Sequence, residues 1–586
     1  MRAPKDFAEV MLGVFATFVL TTFTVVNVWY LFNSRDSWDF NYISKIDDWS
    51  FDQSAESLEG RMLGTVTSPM ANFGVSDMAK ETIGLAVGGA KDINNFRENI
   101  ENNYLPIPTD MTYEGLFYDY YFDTGQQEKC EELFCPSYSY AISPDPISGE
   151  DDYYLAVGLN SGIKESDFSR KKLNLVVVLD ISGSMSSSFN SYYYDQFGNR
   201  QEIELENEKD LNKTKMQIAN QSVVNLLGHL NDDDRFGMVL FDDDAYLAKP
   251  LNLVSEVDMG AIKDHILEIK PQGSTNMAAG MKKATEILSE YADSDQTEYE
   301  NRIIFLTDAM PNTGETDKDG LLGMTKDNAD NNMYTTFIGI GVDFNTELIE
   351  YITKIKGSNY YSVHSPSQFK TRLDDEFEYM VTPLVFDLEL NLVADGYDIE
   401  KVYGSPEADE ATGEIMRVNT LFPSAKEEGE TKGGLVLLKL KKTVEGAKLH
   451  LFVSYQDRQG ASFSNEAEID MNNDSKEYFA NLGIHKGVLL ARYADLMKNW
   501  MVDEREAAHT IGPFFWRVDQ KNGIAVPTDL AYQLGKWERQ SSPLVVSEHY
   551  QSMFVDFYYY FSTEMDKIGD DSLKHELDII EQLRDL

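Results

Sequence analysis

Residues 173–184 read LNLVVVLDISGS, from Leu173 to Ser184. The first seven residues are a near-continuous apolar run, as in a strand buried on both faces. The run ends in Asp180-Ile181-Ser182-Gly183-Ser184, which puts one carboxylate and two hydroxyls at alternate positions. Open α/β sheets place their ligands at the carboxyl ends of strands. Asp and Ser are also common turn residues, so this pattern alone reads first as a strand closed by an Asx turn.

The flanking sequence repeats the theme. Lys215 to Leu230 has apolar residues at helical spacing, with Ile218, Val223, Leu226 and Leu227 on one side. Phe236 to Phe241, Arg302 to Leu306 (RIIFL) and Thr335 to Ile340 (TTFIGI) read as further buried strands, and Ala279 to Ala292 as a helix. Strands alternating with helices predict a mostly parallel sheet covered on both faces, an α/β fold.

Two more segments bear on the strand-end turn. Gly273-Ser274-Thr275 is a loop entering a helix and offers the Thr275 hydroxyl. The strand RIIFL runs into Thr307-Asp308-Ala309-Met310-Pro311-Asn312, where Asp308 closes a strand end. Three separate segments can thus deliver Asp180, Ser182, Ser184, Thr275 and Asp308 to one sheet edge. All five are hard oxygen donors, suited to Mg²⁺ or another hard divalent ion.

With these motifs in this order, the chain resembles a von Willebrand factor type A domain carrying an intact metal-ion-dependent adhesion site. The usual Asp-Gly is Asp308-Ala309 here. The resemblance implies a Rossmann-like domain over 171–380. It implies a metal set of Asp180, Ser182, Ser184, Thr275 and Asp308, with Mg²⁺ as the first choice of ion and Ca²⁺ or Mn²⁺ as alternatives. One coordination position is left open, and a Glu or Asp of a protein partner completes the shell. The 91–180 region, with INNFRENIENNYLPIP and LAVGLNSG, is similar to membrane-anchored microbial proteins of this type that are labelled calcium-activated chloride-channel-like. That likeness implies an adhesion or binding protein that is not an enzyme, with a regulatory subunit of an ion channel or membrane complex as the alternative. A third class, a hydrolase activating water on the metal, lacks an identifiable general base.

The chain has 586 residues, enough for several domains. Val10 to Phe32 is uncharged for 23 residues, long enough for one bilayer-spanning helix. The expected organisation is a cytoplasmic tail at 1–9, a signal anchor at 10–32 and a stalk at 33–90. A mixed region at 91–170 precedes the α/β domain at 171–380. A β-rich, sandwich-like domain at 381–480 and a helical region at 481–586 complete it. Leu384 to Leu392 alternates strictly with period two, and Leu435 to Leu440 and Leu449 to Tyr455 are similar runs. Phe117 to Phe122 reads as a strand, Asn94 to Asn103 as a helix, and Ile484 to Met501 and Asp566 to Leu583 as helices. On this reading the protein is single-pass, with the bulk of the chain outside the membrane.

The net charge of −48 excludes the basic patches that nucleic-acid binding requires. It also opposes binding to anionic lipid surfaces. Cys130 and Cys135 are the only cysteines. Two thiolates cannot close a zinc site, and either a local disulfide or two thiols fits the spacing. The runs Asp232–Asp234 and Asp242–Asp244 read as solvated turns, or as a second cation site. The Glu315–Gly320 stretch begins like a calcium loop but has Lys326 where a Glu is required.

Overall fold

The computed structural model describes residues 45–53 and 82–586, apart from 92, 102, 126–130, 188–191, 195–199, 203–212, 293–296, 309–319, 341–353, 364–365, 393–395, 407–414, 445–448, 470, 472–476 and 511–542. The expected anchor at Val10 to Phe32 lies outside them, as do Ala309 to Asn312 and most of residues 188–212. Among the described residues no helix is long and apolar enough to cross a membrane. This corrects the expected single-pass localisation.

The smaller of two large sheets is built from β1 (Gly89–Ala90), β2 (Lys172–Asp180), β3 (Arg235–Phe241), β4 (Ala245–Leu253), β5 (Tyr299–Thr307), β6 (Met333–Ile340) and β7 (Asn359–Val363). Their spatial order is β4-β3-β2-β5-β6-β7-β1. All neighbours are parallel except β3 and β4. The apolar run in β2 is at the centre, between β3 and β5, and the one polar residue in it, Asn174, is fully buried and donates to Asn301 Oδ1 of β5 at 2.8 Å. The side chains of β2 serve two cores. Leu173, Leu175, Val177 and Leu179 face α1 (Lys215–Leu226) and α2 (Met259–Leu267), while Val176 and Val178 face α3 (Met277–Ser289) and α4 (Leu321–Asp330). The period of two along a strand divides these residues between the faces.

Among the described residues the second large sheet has ten strands, each antiparallel to its neighbours. The runs expected at 384–392, 435–440 and 449–455 are strands at Val385–Leu392, Leu435–Lys442 and Leu449–Gln456. In the first, Leu388, Leu390 and Leu392 share one core as the alternation predicts, but Asp387 has a φ of 49° and the period breaks there, so that Val385 joins that core and Phe386 packs separately with Tyr334 and Ile355. The sheet also takes strands from the region before β2. Asp151–Lys164 pairs with Cys135–Pro144 on one side, and with Leu435–Lys442 and then Thr82–Val87 on the other. One continuous core joins this sheet to the helices Leu482–Thr510, Glu548–Ile568 and Lys574–Arg584.

Several local expectations change. Residues 117–122 divide between a helix at Tyr113–Tyr118 and a two-residue strand at Tyr121–Phe122. Thr112 caps that helix by accepting from the Gly115 amide at 3.0 Å, a side-chain cap that local aromatic content does not reveal. The single helix expected at 566–583 is two, broken at Gly569, whose φ is 76°. Residues 82–90, inside the expected stalk, supply one strand to each large sheet. Residues 48–53 also lie against the smaller sheet. The Ser50 amide donates to the Ala248 carbonyl of β4 at 2.8 Å, and Asp48 pairs with the buried Lys249 at 3.1 Å. Edge strands need such cover. Cys135 is disulfide-bonded, and Cys130, the only other cysteine, lies outside the described residues.

Candidate metal centre

The site lies where β2 and β5 end side by side. Leu179 is in register with Leu306, which sets Asp180 beside Thr307 and Asp308. Thr307 Oγ1 donates to Asp180 Oδ2 at 2.5 Å, and the Ser182 amide donates to Asp180 Oδ1 at 2.8 Å. Ser184 Oγ donates to Asp308 Oδ1 at 2.7 Å. The Ser182 and Ser184 hydroxyl oxygens are 2.9 Å apart. Because the Ser184 proton goes to Asp308, Ser182 is the donor of that pair.

The Thr275 loop is tied to the same turn. The Gly183 amide donates to the Gly273 carbonyl at 3.1 Å, and the Gln272 amide to the Ile181 carbonyl at 2.5 Å. Gly273 has a φ of 68°, and a Cβ there would lie 2.9 Å from the Asp242 side chain. The position needs glycine on both counts. Asn276 then caps α3 by accepting from the Ala279 amide at 3.0 Å, so the chain turns into the helix directly after Thr275.

The five expected residues therefore come from three neighbouring segments at one sheet edge. Asp180, Ser182 and Asp308 are buried at 0, 1 and 2% exposure. Ser184 is exposed and Thr275 half-buried. The result is a buried acidic floor with a hydroxyl rim open to solvent. Burial first, and the Asp308 carboxylate second, push the Asp180 carboxyl up to about 7. Two adjacent buried carboxylates disfavour joint ionisation unless a cation offsets them. Among the described residues no three of His, Cys, Asp and Glu gather into a metal-holding group. The donors are instead two carboxylates with hydroxyls, all oxygen, and that chemistry fits a hard divalent ion.

Sequence reasoning missed one charged neighbour. Lys215 Nζ lies 3.1 Å from Asp308 Oδ2, with both side chains buried. Its only sequence signal is its place directly after Thr214, which with Gln217 forms a capping box that starts α1. In each acidic run two of the three carboxylates are exposed, as a solvated turn predicts, and one is buried. Asp234 is fully buried and takes both Arg170 Nη atoms, at 2.9 and 2.6 Å. Asp242 is buried beside the site and accepts from Tyr246 and Gln272.

Residues 175–311 match the family model of the von Willebrand factor type A domain. Inter-alpha-trypsin inhibitor heavy chain H1 of Mesocricetus auratus is 22% identical over 332 residues, 56% of this chain and 31% of that protein. The Homo sapiens heavy chain H1 is 24% identical over 228 residues, 38% of this chain and 22% of that protein. The chain thus spans less than a third of the length of these curated relatives. A solved von Willebrand factor type A structure from Catenulispora acidiphila is 16% identical with a TM-score of 0.39, covering 75% of this chain and 98% of that one. Residues 175–311 are a von Willebrand factor type A domain, set within a chain that continues on both sides of it.

Proposed function

We propose that this domain is a metal-dependent binding module that recognises a carboxylate on a protein partner. Asp180, Ser182, Ser184, Thr275 and Asp308 hold the divalent ion, with Mg²⁺ as the first choice. When bound, the ion supplies a concentrated positive charge that draws an external Glu or Asp. The protein residues do the rest. Thr307 and the Ser182 amide fix the Asp180 carboxylate, Ser184 orients Asp308, and the bond between Gly183 and Gly273 holds the Thr275 loop against the turn.

The observation that carries this reading is the chain of contacts from Ser182 Oγ to Ser184 Oγ to Asp308 Oδ1, at 2.9 and 2.7 Å, on the rim above buried Asp180. An all-oxygen set with an open rim suits binding without turnover. The overall charge of −48 does not forbid an acidic partner. Screening acts over roughly 8–10 Å at physiological salt, so the local ion dominates at contact.

Calorimetric titration of the full chain with Mg²⁺, Mn²⁺ and Ca²⁺ tests the first step. Saturable binding that Asp308→Ala abolishes is the expected result. Heats that are the same in wild type and variant remove the site from consideration. Partner capture with Mg²⁺, with EDTA and with Asp308→Ala tests the second step. Retention only in the first arm is expected, and retention in all three overturns metal-bridged recognition.

A further inference from the structure

Residues 47–53 cross the edge strand β4 and the end of α2, where the Ser50 amide bonds the Ala248 carbonyl and Asp47 faces His265 at 2.9 Å. They are a built part of the domain. Lys249 of β4 is fully buried, and Asp48 is the carboxylate set against it. A buried charge needs such a partner. Trp49 and Phe51 pack against the core that β2 shares with α1 and α2.

From this anchorage the segment reaches Asp242, beside the strand-end site, by two routes. The Gln53 side chain brackets the backbone of Lys270. Its Oε1 accepts from the Lys270 amide at 3.0 Å, and its Nε2 donates to the Lys270 carbonyl at 2.7 Å. The same Nε2 donates to Gln272 Oε1 at 3.2 Å, and Gln272 Nε2 donates to Asp242 Oδ2 at 2.9 Å. On the second route the Phe51 ring lies 5.2 Å from the Tyr246 ring, and the Tyr246 hydroxyl donates to Asp242 Oδ1 at 3.0 Å. The Asp244 amide shares that oxygen at 3.1 Å.

Gln272 and Asp242 are the residues that fix the Thr275 loop. The Gln272 amide donates to the Ile181 carbonyl in the 180–184 turn, and the Asn276 amide donates to the Asp242 carbonyl at 2.7 Å. Gly273 lies between them, against the Asp242 side chain. A shift of either residue therefore moves the backbone that carries Thr275.

We propose that residues 47–53 are a strap that positions the metal centre, with Gln53 acting on the Thr275 loop through Gln272. This rests on the metal-dependent reading above. It adds to that reading a determinant of metal affinity that lies outside residues 175–311, the stretch matched by the family model. Gln53 is a positioning residue and not a ligand.

The test is calorimetric titration with Mg²⁺ of the full chain, as wild type, Gln53→Ala, Tyr246→Phe, Gln272→Ala and the double variant Gln53→Ala with Gln272→Ala. Gln53→Ala weakens Mg²⁺ binding by about three- to tenfold, the scale of one or two hydrogen bonds. In the Gln272→Ala background the same substitution has a smaller effect, because the two residues act in one line. Tyr246→Phe keeps the ring against Phe51 and removes the hydroxyl, and it weakens binding in the same range. It also carries the test if Gln53→Ala does not fold. A strap that only adds stability lowers the unfolding midpoint of the metal-free chain and leaves the Mg²⁺ affinity of the folded chain unchanged.

The outcomes separate the two readings. Equal Mg²⁺ affinity in wild type, Gln53→Ala and Tyr246→Phe overturns the strap and leaves the metal site standing. An undiminished effect of Gln53→Ala in the Gln272→Ala background overturns the route through Gln272. If wild type does not bind Mg²⁺, both readings fall.

Discussion

The Gly183 amide donates to the Gly273 carbonyl at 3.1 Å, and this bond joins the Asp180–Ser184 turn to the loop that carries Thr275. The two glycines approach so closely that a Cβ on Gly183 would meet the Gly273 carbonyl oxygen at 3.3 Å. Gly273→Ala adds a Cβ at a φ of 68° and drives it against Asp242. The left-handed conformation alone costs about 1–2 kcal/mol. Denaturant unfolding should show at least that loss, and Mg²⁺ affinity should fall as the loop shifts. Unchanged stability and affinity would refute the coupling.

Thr307 holds Asp180 through a 2.5 Å bond, and both residues are fully buried. Thr307→Val keeps the shape and removes the donor. A buried oxygen left short of its partner costs about 1–3 kcal/mol. The expected result is a lower unfolding midpoint in the absence of metal, partly restored by saturating Mg²⁺. A variant as stable as wild type under both conditions would show that this bond does not orient the carboxylate.

Arg170 grips Asp234 beneath the opposite end of β2, and the same carboxylate accepts from the Leu173 amide at 2.8 Å. Breaking a buried pair by removing one partner costs about 3–5 kcal/mol, because the other charge stays buried. Arg170→Met should therefore destabilise strongly in chemical denaturation while leaving the metal site intact. A loss below about 1 kcal/mol, the range of exposed pairs, would mean that water reaches Asp234.

Glu114 gives a pH signature. Burial pushes its carboxyl up from 4.5 to about 7. The folded chain then takes up this proton near pH 7, and the unfolded chain only near 4.5. Stability from this group rises as pH falls through that window, on the order of 3 kcal/mol in all. Lys91 nearby is pushed down from 10.5 to about 7, also by burial. Its effect is confined to higher pH, where stability falls as pH drops from 10.5 towards 7. Unfolding at pH 7.5 and at pH 5 should show wild type gaining relative to Glu114→Gln. A difference between the two proteins that does not change with pH would contradict a raised Glu114.

Much of the smaller sheet was legible before any coordinates. The run LNLVVVL marks β2 because a strand buried on both faces needs no polar alternation, and the same holds for RIIFL and TTFIGI. The antiparallel edge strand β4 was missed. Its sequence, AYLAKPLNL, contains a lysine and a proline and has no clean period. The 117–122 stretch was misread because aromatic residues fit a strand by propensity, whereas the Thr112 cap and burial of the whole Tyr113–Tyr118 helix favour helix.

Local chemistry therefore carried the strands of the α/β domain, the order of Asp180, Ser182, Ser184, Thr275 and Asp308, and the resemblance they support. Apolar periodicity and turn preferences act over a few residues, so they are visible in the chain itself. Folding brought together what lies far apart in sequence. It placed Lys215 on Asp308 across 93 residues and Asp234 under Arg170. It set Thr82–Val87 and Asp151–Lys164 in one sheet with Leu435–Lys442. Such contacts depend on which elements pack against which. The Lys215–Asp308 pair is settled at that level, because a lysine at a helix start looks like any surface lysine until a buried carboxylate is found beside it.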